Sequence, residues 1–162
     1  MTVNDFRHLY LAELEELRSV EAQMAGNLDR LAGQATDPRL SQEIETHQAQ
    51  TAGHRDRLDA LLQAHGGRPD GHDDASMHAI IDESGKWVGM IADGALKDAA
   101  MIASLQRMEH YEISVLGTLA QWARMLGHDN DARVLDAILD VDRQTDARLS
   151  AIADETVNPA AL

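Results

Sequence analysis

The sequence predicts an all-α protein built on a four-helix bundle. Apolar residues recur at steps of three and four along most of the 162 residues, which is the period of helices that bury one face. Aromatic residues make up only 3% of the chain, so the core must consist of aliphatic side chains and Met, which suit helices better than a sheet. Two of the three prolines, Pro38 and Pro69, fall between the periodic segments.

The first two predicted helices form a hairpin. The first covers about residues 4–31, and Gly33 marks the turn that follows. Either Thr36 or Asp37 caps the second helix, because both side chains accept hydrogen bonds from free backbone amides at a helix start. The second helix covers about residues 38–64 and starts with a proline, which is favoured at the first helical position.

The remaining helices form a crossover and a second hairpin. A short helix at about residues 75–91 follows an irregular stretch at 65–74. Longer helices are expected at about 95–126 and 130–153, with Gly127 ending the former. Two hairpins joined by a long connection allow the up-down-down-up order of ferritin-like bundles.

Length and composition indicate a single domain over residues 1–154, with a frayed tail over residues 155–162. The net charge of −14 repels nucleic acid and anionic membranes. No apolar run is long enough to span a bilayer, and no signal peptide is visible. Cysteine is absent, which fits a reducing compartment. We therefore expect a cytoplasmic protein without nucleic-acid or membrane partners.

Polar residues interrupt the apolar stripe of each long helix at core-facing positions. A charge there must be paired, neutralised or bound to a metal ion, because removing it from water is costly. Facing positions of a hairpin have a nearly constant sum of residue numbers, and this rule places Glu112 opposite Asp142 and Glu109 opposite Asp146. The interrupting residues are Glu13, Gln50, His54, Glu109, Glu112, Asp142 and Asp146.

The same rule predicts that Glu13 lies within about one helical turn, roughly 5 Å, of the level of His54. Gln50 lies one turn beyond His54. Because a layer of carboxylates and an imidazole repels itself, it must hold cations or protons. Oxygen-rich ligands with imidazole suit iron or manganese, and the di-iron carboxylate sites of four-helix bundles use this set.

Five segments resemble the YciE/YciF-type ferritin-like proteins of bacteria, namely residues 9–13, 47–51, 98–103, 109–113 and 145–146. The resemblance covers about residues 4–153. It implies a ferritin-like bundle, a homodimer, an association with stress responses and a di-metal centre. The site residues that it implies are Glu13, Glu109, Glu112 and Asp146.

The chain departs from this family at two positions, with Gln50 and Asp142 where the family usually has Glu. Gln is a weak neutral ligand, and Asp reaches one methylene less far. Two hypotheses therefore stay open. The first is a metal-binding protein with two iron ions, or manganese, that acts as an oxidase or peroxide scavenger. The second is a non-catalytic helical dimer with a degenerate site, and the sequence does not decide whether the protein is an enzyme.

For the other histidines, the sequence predicts less specific roles. We expect His47 to be a hydrogen-bonded residue near the bundle edge rather than a ligand. A cluster in the crossover could bind a surface metal ion, but a solvated loop in which Asp73 or Asp74 caps the next helix is the preferred interpretation. This cluster contains His65, Asp70, His72, Asp73, Asp74 and His78.

Overall fold

The structure, a computed structural model, describes residues 3–92 and 94–162. These residues form an all-helical, ferritin-like bundle with a short extra helix in the crossover, which confirms the predicted fold. Every predicted helix boundary lies within two residues of the observed one. The helices are α1 (Phe6–Leu31), α2 (Pro38–His65), α3 (Ala75–Met90), α4 (Gly94–Met125) and α5 (Asp129–Ile152).

Aspartate caps explain why the first three helices begin where they do. Asp5, Asp37 and Asp74 each accept a hydrogen bond from a backbone amide in the first turn of α1, α2 and α3. The structure thus selects Asp37 over Thr36, and Asp74 over Asp73, as the capping residue. Such caps satisfy amides that have no partner within the helix.

The four long helices run up, down, down and up. The end of α1 lies beside the start of α4, where the Thr36 amide donates to Asp98 at 2.9 Å, so these helices are antiparallel. Glu43 near the start of α2 pairs with Arg148 near the end of α5 at 2.9 Å, so α2 and α5 are antiparallel too. The crossover helix α3 packs on α4 and α1.

The bundle interior is mostly aliphatic with several Met residues, as the composition predicts, and Tyr10 is its one fully buried aromatic side chain among the described residues. None of the described helices contains a stretch that is both long and apolar enough to cross a membrane. Fully buried side chains come from all four long helices, and they include Leu14, Leu17, Met24, Leu28, Leu40, Ile44, Leu58, Met101, Leu116, Leu119, Leu135 and Ile138.

The loop over residues 32–37 rises along the bundle axis instead of reversing tightly. Asp98, which is 1% exposed, holds it by accepting hydrogen bonds from Thr36 N, Thr36 Oγ1 (2.6 Å) and Asp37 N (2.7 Å). Side-chain pairs across the hairpin, such as Arg18 with Asp59, show the resulting register. By this register α2 begins about seven residues, roughly 10 Å, beyond the level at which α1 ends.

The predicted level of Glu13 is wrong for this reason. The rule of constant residue-number sums assumes a tight turn between the two helices. The rising loop instead shifts α2 along α1. Glu21 faces His54, with Glu21 Oε1 3.2 Å from His54 Nδ1. Glu13 lies eight residues before Glu21 on α1, or about 12 Å away along the helix.

The C-terminal residues, which we expected to fray, are helical. α5 continues through a π-helical turn (Ala153–Val157) into a one-turn helix, α6 (Asn158–Ala161). Val157 is 1% exposed, and both segments contact α4. Burial of this side chain provides a physical reason for the order, because it fixes the segment against the bundle.

Candidate metal centre

Six ionisable side chains meet inside the bundle, and all four long helices contribute. None is more than 3% exposed. Helical spacing aims them at one another, since positions seven apart on α2 and three apart on α4 share a face. The six are Glu21 of α1, His47 and His54 of α2, Glu109 and Glu112 of α4, and Asp142 of α5.

The six side chains form two triplets, and we call them together the core cluster. Glu21, His54 and Asp142 make one triplet, and His54 Nδ1 lies 3.2 Å from Glu21 Oε1 and 3.8 Å from Asp142 Oδ1. His47, Glu109 and Glu112 make the other, and His47 Nε2 lies 2.9 Å from Glu109 Oε1. In each triplet, one ligand atom per residue lies within 4.8 Å of the others. Each triplet therefore offers one imidazole and two carboxylates to a metal ion.

Several oxygens of the core cluster are buried without a hydrogen-bond partner among the described residues. They are both carboxylate oxygens of Glu109, both of Asp142 and Oε2 of Glu112, although Oε1 of Glu109 has His47 Nε2 at ion-pair distance (2.9 Å) without hydrogen-bond geometry. A buried polar atom in this state costs about 1–3 kcal/mol, so natural proteins seldom keep five together. Coordination of a cation would satisfy these oxygens.

Two carboxyl groups of the core cluster, those of Asp142 and Glu112, resist ionisation in the absence of a cation. Burial raises the pKa of Asp142 to about 9, and the negative charges of Glu21 and Glu109 add to this effect. Burial likewise raises the pKa of Glu112 well above its usual range, together with the charges of Glu21, Asp142 and Glu109. Without metal, the cluster therefore retains protons at neutral pH.

Burial and the nearby negative charges have opposite effects on the pKa of His47. Burial lowers the pKa of His47, but the charge of Glu109 and the smaller contributions of Glu21 and Glu43 raise it overall. The negative field of the cluster thus favours a positive charge at this point. A bound cation would supply that charge instead of a proton.

Comparison with known proteins places this chain in a family. Residues 5–162 match the family described as "Domain of unknown function (DUF892)". The chain belongs to this family. Protein YciF of Escherichia coli (strain K12) is 29% identical to it over 162 residues, which is 99% of this chain and 98% of that protein. The family resemblance seen in the sequence is thereby confirmed.

Solved structures of similar proteins share the architecture of this DUF892 member. The crystal structure of the E. coli stress protein YciF matches with a TM-score of 0.90 at 29% identity, covering 96% of this chain and 99% of that one. YcfI of Rhodopseudomonas palustris, to which a structural role has been ascribed, matches with a TM-score of 0.88 at 33% identity, covering 91% and 94%.

Four of the residues predicted for the site lie in the core cluster: His54, Glu109, Glu112 and Asp142. Gln50 lies between the two histidines on α2. Its Oε1 is buried without a hydrogen-bond partner among the described residues. Gln50 is thus a half-buried neighbour of the cluster, and its role as a ligand stays a prediction.

The two other predicted residues lie away from the core cluster. Asp146 faces α4 at about the predicted level, but its carboxylate contacts Gln106 (3.0 Å) and His110 (3.2 Å) at the edge of the bundle. Glu13 is half-buried on α1, and its electrostatic neighbours are Glu16, Asp74 and His72.

Sequence reasoning missed Glu21 and did not expect a ligand at His47. His47 and His54 are seven residues apart, so the spacing itself indicated that they share a face. Glu21 follows Leu17 by four residues and precedes Met24 by three, which places it on the same apolar stripe as Glu13. Only the level of α2 relative to α1 distinguishes the two glutamates, and that level depends on the rising loop.

Proposed function

We propose that this protein binds a pair of metal ions, iron or manganese, in the core cluster and acts in a stress response. The proposal rests on the buried carboxylate oxygens that have no hydrogen-bond partner among the described residues, because they converge from different helices on two three-residue groups. The relationship to the stress protein YciF supports the physiological setting.

The charges of the donor set support two divalent ions. Glu21, Glu109, Glu112 and Asp142 bring four negative charges when ionised, and neutral His47 and His54 bring none. Two divalent cations would balance this total. Oxygen-rich sites with imidazole suit iron and manganese. When bound, a pair of these ions would support oxidation of a substrate by oxygen or peroxide.

In such chemistry the protein's own residues would hold and orient the metal ions and shield them from bulk water. His47 and His54 would bind as neutral imidazoles, so metal uptake must compete with protons and should release them. The surrounding side chains, such as Leu28 and Leu105, are buried and apolar, which keeps bulk water from the cluster. Each triplet combines ligands from different helices, so the bundle fixes the distance between the two metal positions.

The structure also supports a second candidate function, that of a non-catalytic bundle whose polar interior is held by protons. His47 lies within ion-pair distance of Glu109, and His54 of Glu21, so part of the negative charge has a protein partner. The raised pKa values of Asp142 and Glu112 describe carboxyls that are stable in neutral form. The structural role ascribed to YcfI agrees with this alternative.

The substitution Glu109→Ala separates the two candidates, with Glu45→Ala on the exposed face of α2 as the matched control. If the core cluster binds metal, Glu109→Ala should lose iron and manganese uptake and leave the metal-free protein as stable as the wild type or more stable, because it removes a repelling buried charge. Elemental analysis and the melting temperature of the metal-free form measure both effects.

The structural candidate predicts a different outcome for the same variant. Loss of Glu109 would leave His47 without its ion-pair partner and would destabilise the fold by about 1–3 kcal/mol. Strong destabilisation with unchanged metal content would therefore contradict the proposed metal centre.

A further inference from the structure

Three helices and the residue that precedes α5 bring four side chains together at the end of the bundle where α1 begins and α2 ends. Asp131, in the first turn of α5, is 6% exposed. Its Oδ2 accepts a hydrogen bond from the Tyr10 hydroxyl at 3.0 Å and lies 2.6 Å from His65 Nε2. The ring of His128 packs beside them, with its centroid 4.5 Å from that of His65 and 5.8 Å from that of Tyr10.

This group is separate from the core cluster. His65 lies eleven residues after His54 on α2, and Asp131 lies eleven residues before Asp142 on α5. At the helical rise, each displacement amounts to about 16 Å. One ligand atom from each of His65, His128 and Asp131 lies within 4.8 Å of the others.

We propose that His65, His128 and Asp131 form a mononuclear site for a divalent transition-metal ion of the Zn(II) type. Two imidazoles and one carboxylate form a common donor set for zinc. Three protein ligands leave a fourth position of the tetrahedron free for water or a small ligand. We call these three residues the polar-end site.

The His65–Asp131 pair needs little adjustment to accept the ion, and the ligand atom of His128, at most 4.8 Å from the others, must approach by less than about 1.5 Å. Ligand atoms bound to one tetrahedral zinc ion are separated by roughly 3.4 Å, given bonds of about 2.0–2.2 Å. The His65–Asp131 contact of 2.6 Å must therefore widen by less than about 1 Å, and the 23% exposed side chain of His65 has space to rotate outward. His65 ends α2, where the unpaired carbonyl groups favour a cation.

Tyr10 provides the support that a ligating carboxylate usually has. It is 2% exposed and donates to the Asp131 oxygen, which fixes the carboxylate toward the two histidines. Its hydroxyl thus supports the site as a hydrogen-bond donor and not as a ligand.

The free coordination position would face a surface cavity. A surface cavity of about 230 Å³ borders both histidines and Tyr10. Arg7 and Asp5 line the same cavity with opposite charges, so the cavity admits water or a small anion as the fourth ligand.

Zinc titration of the full chain by calorimetry tests the polar-end site. The variant is His128→Gln, and the matched control is His78→Gln, an exposed histidine of the crossover helix. We expect His128→Gln to bind one equivalent of Zn(II) fewer than the wild type and His78→Gln to bind as much as the wild type. Equal binding by folded His128→Gln and wild type would overturn the proposal.

Cobalt(II) provides a second readout that a purely structural role would not change. The wild type should give the visible absorption of tetrahedral cobalt, and both His128→Gln and His65→Gln should lack it. An unchanged spectrum in the two variants would overturn the proposal. Because the core cluster could also bind these ions, the titration is repeated in Glu109→Ala, where the equivalent at the polar-end site should persist. Its loss from Glu109→Ala together with retention in His128→Gln would assign the ion to the core cluster instead.

Discussion

Glu21 and Glu13 are two residues of the same type on the same helix with different surroundings. Glu21 is 1% exposed beside His54, whereas Glu13 is half-buried. Burial raises the pKa of Glu13, the charges of Glu16 and Asp74 add to this, and His72 opposes it. The two glutamates therefore provide a matched pair for testing which one serves the metal centre.

We predict that Glu21→Gln lowers the number of iron or manganese ions bound per chain and that Glu13→Gln leaves it unchanged. The physical reason is that only Glu21 belongs to a triplet with His54 and Asp142. Elemental analysis after dialysis measures the stoichiometry. The opposite pattern would support Glu13 as the ligand, as the family resemblance implies.

A second residue-scale prediction concerns Gln50 and Asp142. Gln50→Glu would put an anionic oxygen in place of a buried amide oxygen that has no hydrogen-bond partner in the part of the chain that the structure describes. Asp142→Glu would extend a buried carboxylate by one methylene. We expect the double variant to fill the pair of metal positions more completely than the wild type at the same metal concentration and to speed peroxide-dependent oxidation of bound Fe(II). If the double variant binds no more metal than the wild type, these positions do not limit occupancy.

At the scale of elements, the loop between α1 and α2 depends on one buried carboxylate. Asp98 accepts hydrogen bonds from two backbone amides and one hydroxyl of this loop. We predict that Asp98→Ala lowers the free energy of unfolding by about 3 kcal/mol, because it leaves buried donors unsatisfied. Urea denaturation measures the change, and Asp140→Ala on the exposed face of α5 is the control. A loss as small as that of the control would show that the loop is held by other contacts.

The loops also decide how much of the site the sequence could predict. Between α4 and α5 only residues 126–128 intervene, so the rule of constant residue-number sums gave the correct levels for Glu109, Glu112 and Asp142. Between α1 and α2 the chain rises along the axis before α2 begins, and the same rule placed Glu13 where Glu21 lies. The helix ends were predictable because their capping signals are local, whereas the rise depends on Asp98, which is distant in sequence.

The edge position of Asp146 has a different origin. Its level was correct, but the level does not specify the direction in which a side chain leaves the helix. Asp146 follows Asp142 by four residues, a rotation of about 40° beyond a full turn. This rotation is enough to bring its carboxylate to Gln106 and His110 at the bundle edge.

At the scale of the whole molecule, the core cluster couples folding to pH. Asp142 has an ordinary pKa of 3.8 and a folded value of about 9, so the folded state binds more protons than the unfolded state between these values. We predict that the melting temperature of the metal-free protein falls as pH rises through this range. Bound metal should remove most of the loss.

The control for this pH dependence is Asp142→Asn, which has no proton to lose at this position. Its melting temperature should decline less steeply between mildly acidic and alkaline pH than that of the wild type. Thermal unfolding in chelator-treated buffer measures both proteins. A wild type with constant stability over the range would contradict a proton-bearing cluster.

The homodimer implied by the family resemblance remains a prediction at this scale. Trp87 and Met90 on the crossover helix are 48% and 70% exposed, which is unusual for large apolar side chains. We expect light scattering at micromolar concentration to give a dimeric mass, and we expect Trp87→Ala combined with Met90→Ala to lower it toward the monomer. A monomeric wild type would contradict this assignment.

The division of the core cluster between the two hairpins has a consequence for the order of folding events. The first hairpin contributes Glu21, His47 and His54, and the second contributes Glu109, Glu112 and Asp142. Each triplet spans both hairpins, so neither triplet exists until the hairpins have docked. A metal ion bound there would consequently arrive late in assembly. It could not nucleate either hairpin, but it would slow their separation, so metal loading should reduce the unfolding rate far more than it accelerates refolding.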